Sequence, residues 1–173
     1  MATAVAITRL AQTKSTRDYS AHILRRNFLQ LLTDIDAATA AELELAWASE
    51  GLPGGMGDPA VSKYLRESEA AWDRVTDCLA ATTAAATGMG NSCVLRKMTY
   101  CLRSVLSSES AGEFDREIAA ARRLIAETCI LPNASVADRD FFTVLQAVAA
   151  RLDGLDSLDL FRSGAPDPQP NLH

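Results

Sequence analysis

Four cysteines (Cys78, Cys93, Cys101, Cys129), two histidines (His22, His173) and a Gly-Met-Gly loop are the residues from which a reaction or ligand site would have to be built. Cys93 and Cys101 stand eight apart on one expected helix, roughly on the same side but not adjacent. Zinc ligation wants tighter pairs supported by histidine, so no metal site is expected. A nucleophilic thiol needs a cation or a helix N-terminus to lower its pKa. Cys93, close to Arg96 and two residues past Asn91, is the one candidate, and small apolar packing is the plainer role for all four. Ser-His-Asp chemistry would have to recruit His22 from a basic segment. The carboxylates Asp153, Asp156 and Asp159 are spaced by three, yet no calcium-loop pattern surrounds them. No catalytic constellation emerges, and no enzyme is expected.

Thr87-Gly-Met-Gly-Asn-Ser92 precedes a helix, where free backbone amides can hold a phosphate or carboxylate. Gly88, Gly90 and Asn91 are the candidate contacts, with Arg96 and Lys97 one turn further on. The P-loop lysine and the dinucleotide glycine spacing are both missing, so a plain interhelical link competes with the anion reading. Gly-Met-Gly followed by Asp58 or Asn91 occurs twice, 33 residues apart. That period suits a helical-hairpin repeat, but a shared need for a helix stop and a cap explains it as well.

The run Asn91-Ser-Cys-Val-Leu-Arg-Lys-Met-Thr-Tyr-Cys-Leu-Arg103 resembles the bilin-attachment helix of phycobiliproteins, an all-helical family of similar length with the pattern Asn-x4-Arg-Lys-Met-x2-Cys-Leu-Arg-Asp. The resemblance implies Cys101 as the thioether anchor of a linear tetrapyrrole. It covers 13 of the 173 residues, and Ser104 stands where the family carries the aspartate that grips the pyrrole nitrogens. On that footing the chain is not assigned to the family, and no cofactor is required by the rest of the sequence.

The elements that must position these residues are helical. Thirty alanines and 21 leucines against ten aromatics favour helix over sheet throughout. Apolar spacing predicts a short helix over 3–12, a firmer one over 20–32 (Ile23, Leu24, Phe28, Leu31, Leu32) and a third from an Asp36 cap to Gly51. Asp58-Pro59 starts a long helix to about Thr87, with the seam Val61, Leu65, Trp72, Val75 and Leu79. Asn91 opens the next, with Val94, Leu95, Met98, Cys101, Leu102, Val105 and Leu106 inward. Ser110 with Glu113 forms a capping box for a helix to about Ile130 carrying Phe114, Ile118, Leu124 and Ile125. Ser135 with Asp138 starts another, carrying Val136, Phe142, Leu145, Val148 and Leu152 and ending at Gly154, and a short helix over 155–161 follows. The fold class expected is an all-α, compact bundle of five to seven helices, with its antiparallel core over 59–152. Three segments are expected: a basic N-terminal arm over 1–33, a helical domain over 34–162 and a Pro-rich extended tail over 163–173.

Charge along the chain points to a partner. The net charge is −5, but residues 1–33 carry Arg9, Lys14, Arg17, Arg25 and Arg26 against Asp18 alone, a net of +4, and the remaining 140 residues carry −9. With Trp47 and Trp72 as candidate anchors, those five cations are the expected interaction residues. The expectation is a non-catalytic helical subunit or adaptor in a homo- or hetero-oligomer. Alternatives are a cofactor-binding helical protein, for example one holding a tetrapyrrole at Cys101, and a nucleic-acid-binding subunit. The last would use the Arg9–Arg26 group with Arg96, Lys97 and Arg103, and Arg116, Arg122 and Arg123. The acidic pI near 5.0 opposes nonspecific attraction to phosphates. No apolar run reaches the roughly 20 residues of a membrane span and no secretory core is evident, so an intracellular site, cytoplasmic or organellar, is expected.

Overall fold

A computed structural model describes the backbone of residues 2–52, 54, 58–85, 91–128, 135–158 and 161, and the side chains of the same residues from 21 onward except 136 and 137. The chain is all-α, with no strand among the described residues. Five α-helices follow in order: α1 (Ala2–Ser49), α2 (Ser62–Ala84), α3 (Asn91–Leu106), α4 (Ala111–Thr128) and α5 (Val136–Asp156), with a 3-10 turn at Pro59–Val61. No helix is long and apolar enough to cross a membrane among the described residues.

The largest departure from expectation lies in α1. Three helices were expected over residues 3–50, with Asp36 as a cap; a single helix of 48 residues stands there instead. Between Ala2 and Ser49 there is neither proline nor glycine, so nothing interrupts the i to i−4 ladder. Leu31, Leu32, Ile35 and Ala38, all buried, carry the inward face straight through the expected break. Asp36 is consequently a mid-helix residue. Thr33 accommodates itself by donating to the Leu29 carbonyl at 3.1 Å. At the far end Gly51 adopts φ 75°, the left-handed conformation that lets the chain turn away after the last helical residue.

The caps behave largely as their residue types dictate. The Asp58 side chain accepts from the Ala60 amide at 2.9 Å, with Pro59 in the first position of the turn. Ser110 accepts from the Glu113 amide at 3.2 Å, while Glu113 reaches back to the Glu109 amide rather than to that of Ser110. Ser135 and Asp138 form the full reciprocal box at 3.2 and 2.9 Å. Two expected ends differ: α2 stops at Ala84 rather than near Thr87, and α5 passes through Gly154 to Asp156. The second difference also corrects the expected helix over 155–161, whose first two residues complete α5. The Gly-Met-Gly segments, Ile130 and the tail over 163–173 lie outside the described residues.

One core joins all five helices. α1 packs chiefly along α2 and also touches α3 and α5; α3 pairs with α4, and α4 with α5. Phe28 and Leu31 of α1, Val75 of α2, Met98 and Leu102 of α3, Phe114 of α4, and Leu145 and Leu152 of α5 are buried in it. Each such side chain contributes on the order of 1.5–3 kcal/mol through lost apolar exposure. The core is thus wider than the span 59–152, because α1 supplies a full wall. On α2 the buried row is Ser68, Ala71, Val75, Leu79 and Thr82, preceded by Val61 of the 3-10 turn, with Leu65 and Trp72 only half-buried at its edge.

Candidate functional site

The outward face of α1 follows from the same periodicity that builds its inward face. With Leu24, Phe28, Ile35 and Leu45 turned to the core, the opposite row is Leu29, Thr33, Asp36, Ala40, Leu43 and Trp47, all exposed and spaced alternately by four and three. Three of these are large apolar groups left in water: Leu29 is 42% exposed, Leu43 39% and Trp47 71%. Trp47 stands at the last turn, where its carbonyl accepts from the Glu50 amide at 3.3 Å. One step around the helix, Ala37 and Ala41 join Ala70 and Ala71 of α2 in flooring a groove of about 430 Å³. Lys63, Arg66, Glu67 and Arg74 rim it, and Lys63 pairs with Glu67 at 3.7 Å. Alanine floors of this kind let another helix approach closely.

The expected interaction residues separate into groups. Arg9, Lys14, Arg17, Arg25 and Arg26 all lie on α1, so one helix carries the whole basic group. Arg25 and Arg26 are exposed; the side chains of the other three lie outside the described residues. Trp47 belongs to the outward row. Trp72 does not: its Nε1 donates to Glu42 Oε2 at 3.3 Å and its ring meets Phe161 edge-on at 5.9 Å. Glu42 also accepts from the buried Ser68 hydroxyl, so this carboxylate ties α2 to α1.

The other basic residues are partly occupied within the chain. Arg122 donates to Asp153 at 2.7 Å and to Asp156 at 3.3 Å, and these bonds hold its pKa above the usual guanidinium value. Arg116 lies 3.6 Å from Glu117. Arg96 stacks over Tyr100 at 5.7 Å. Arg103 borders a groove of about 260 Å³ between α2 and α3, beside Thr76, Ala80, Thr83 and Ser107. Asp153 and Asp156 thus serve an ion pair between α4 and α5.

At the start of α3, Asn91 is exposed, while Gly88 and Gly90 lie outside the described residues. A groove of about 270 Å³ runs from Asn91 and Ser92 to His22 and Arg25 of α1, with Leu95, Phe141 and Val144 as its apolar wall. The Asp138 carboxylate sits beside Asn91. Hydrogen bonds from Ser135, and then from Asn91, hold it below the usual carboxylate range. Asn91 is thus engaged with a carboxylate of α5.

Two of the thiols are pushed up by their surroundings. Cys101 is half-buried against the core, and burial, reinforced by the charge of Glu117, pushes its thiol up. Burial and Asp34 do the same to Cys78, whose Sγ lies 3.4 Å from the Asn27 carbonyl. Cys93 is exposed. Cys101 lines none of the three grooves described above. No group of three or more His, Cys, Asp or Glu side chains is placed to hold a metal among the described residues.

Compared with protein-family models, with curated proteins and with solved structures, the chain matches none. The outward row of α1 therefore has to be read from its own chemistry. Sequence reasoning picked out Trp47 but missed Leu29 and Leu43. The signal was there: once residues 20–50 are read as one helix, Leu29, Asp36 and Leu43 recur every seven residues.

Proposed function

We propose that this protein is a non-catalytic helical subunit or adaptor that works inside a larger protein assembly, docking through the outward face of α1. The observation that carries this reading is the row ending in Trp47, 71% exposed, with Leu43 one turn before it and Leu29 two heptads before Leu43. Tryptophan is enriched at the centres of protein interfaces, and an indole held in water on a rigid helix is a costly surface for a lone chain. The alanine-floored groove beside the row widens the surface and gives it a cationic rim. The length of α1 supports the same reading. At 1.5 Å per residue, 48 helical residues span roughly 72 Å, about twice the reach of the 23-residue α2, so α2 alone cannot flank all of it.

The nucleic-acid reading draws less support, because Arg116 and Arg122 face carboxylates of the same chain. The tetrapyrrole reading rests on the residues around Cys101, and the raised thiol there does not favour it.

Purification of the full chain at native abundance from its source, under gentle conditions, tests the proposal. Its mass by light scattering should exceed that of a lone 18.5 kDa chain, with stoichiometric protein companions or further copies. A solitary chain carrying visible absorption would overturn the proposal in favour of a cofactor binder. A solitary colourless chain, or one bound to nucleic acid alone, would also overturn it.

A further inference from the structure

We infer that the outward row of α1 docks one helix of a different protein, amphipathic and acidic at one end. The inference rests on the assembly reading above and names the kind of partner. From Leu29 to Trp47 the row advances by alternate steps of four and three, the stripe a second helix follows when two pack side by side. Leu29 and Leu43 stand two heptads apart, roughly 21 Å at 1.5 Å per residue. Thr33 and Ala40, both short, lie between the larger side chains. A facing helix therefore meets large and small groups in turn, which suits interdigitation with apolar side chains of its own.

Charge at the start of the row says which helix fits. Arg25 and Arg26 precede Leu29 by four and three positions, so helical periodicity sets them on either side of it. Both are exposed, and neither enters an ion pair among the described residues. One acidic turn on the facing helix reaches both guanidiniums with charge-assisted hydrogen bonds. Asp36 does not repel that helix, because Arg151 already meets its charge. Glu44 is exposed near the far end, three positions before Trp47, so the acids belong only where Arg25 and Arg26 receive them. A second copy's row would bring Glu44 as its one unengaged acid among the described residues, which is why the helix is assigned to a different protein. A nucleic-acid backbone offers Leu29, Leu43 and Trp47 no apolar counterpart. An anionic lipid surface is disfavoured by Asp36 and Glu44 lying among those apolar groups.

Amide-shift titration of the isotope-labelled full chain tests the inference. The probe is a synthetic alanine-rich helix of about four heptads, stapled to hold it helical, with one leucine per heptad. Three versions carry glutamate, glutamine or lysine in the first turn. The glutamate version should shift amides around Leu29, Leu43 and Trp47 and bind about tenfold more tightly than the lysine version. In the Arg25→Glu, Arg26→Glu variant, with folding checked by circular dichroism, that preference should invert. Binding without the preference, a preference that does not invert, or shifts confined to other faces would overturn the inference. So would tighter binding of a DNA duplex or of phosphatidylserine vesicles than of any peptide, or a dimer of the chain alone that excludes the peptides. If Leu43→Ser with Trp47→Ser breaks up the native assembly while no peptide binds, the acidic-helix partner falls and the assembly reading stands. An assembly left intact by that double variant overturns both.

Discussion

Arg151 of α5 donates to the Asp36 carboxylate of α1, joining the first and last helices across 115 positions of sequence. A second guanidinium nitrogen of Arg151 donates to the Ala147 carbonyl at 3.0 Å, and its buried Nε finds no acceptor among the described residues. Because Asp36 is about half exposed, the pair works in a screened setting. A double-mutant cycle on Asp36→Ala and Arg151→Ala, read by urea unfolding, should show a coupling of about 0.5–1 kcal/mol that shrinks with added salt. A coupling of zero at low salt would mean that the two helices are held by apolar contact alone.

The unbroken course of α1 makes a sharper demand. Thr33 is exposed, so replacing it with alanine should be nearly neutral. Thr33→Pro should cost about 3 kcal/mol or more, because it removes a ladder hydrogen bond and clashes with the preceding turn. At a junction between two separate helices the proline would be tolerated. Thermal unfolding of the two variants distinguishes the cases.

The thiols should react in the order of their exposure. Maleimide should modify Cys93 well before Cys78 or Cys101 at neutral pH, as peptide mass spectrometry can resolve. Raised thiols also set a direction for stability. The folded chain keeps the protons of Cys78 and Cys101 beyond the ordinary value near 9, so it binds more protons than the unfolded chain above that pH. Stability should therefore be unaffected by these thiols below about pH 9 and decline as pH rises toward their folded values. Cys101→Ala should flatten part of that alkaline decline.

At the start of α5 the sign is opposite. Ser135, then Asn91, hold the Asp138 carboxyl below its ordinary value. Its contribution is complete above the unfolded carboxylate range and is lost as pH falls through the depressed folded value. Ser135→Ala should cost about 1 kcal/mol at neutral pH and should reduce the acid sensitivity that Asp138 confers. Equal acid sensitivity in both proteins would remove Asp138 from the account.

Much of the fold was legible because local signals agreed with one another. Asp58-Pro59, Ser135 with Asp138, and the Gly51 stop each act within a few residues, and the stripes through Leu95–Val105 and Leu145–Leu152 follow one period. Two of the missed boundaries share a reason: residues with weak helix preference were kept helical by packing elsewhere. Thr33 to Asp36 stays in α1 because Leu31, Leu32, Ile35 and Ala38 are buried around it. Gly154 stays in α5 because Leu152 and Leu155 on either side are buried. The bonds of Arg151 to Asp36 and of Glu42 to Ser68 span 115 and 26 positions, and no local pattern announces them. The exposed Leu29 and Leu43 escaped because an apolar residue on a helix is first taken for core, and only the known inward face shows which ones are left over.

The central claim is that the outward face of α1 is a docking surface, and the most direct measurement is the mass of the assembly when that face alone is changed. Leu43→Ser with Trp47→Ser alters two exposed side chains, so the melting temperature of the chain itself should move little. Sedimentation equilibrium should then show the wild-type assembly falling to single chains in the double variant at the same concentration. An unchanged mass, with the fold intact, would contradict the claim.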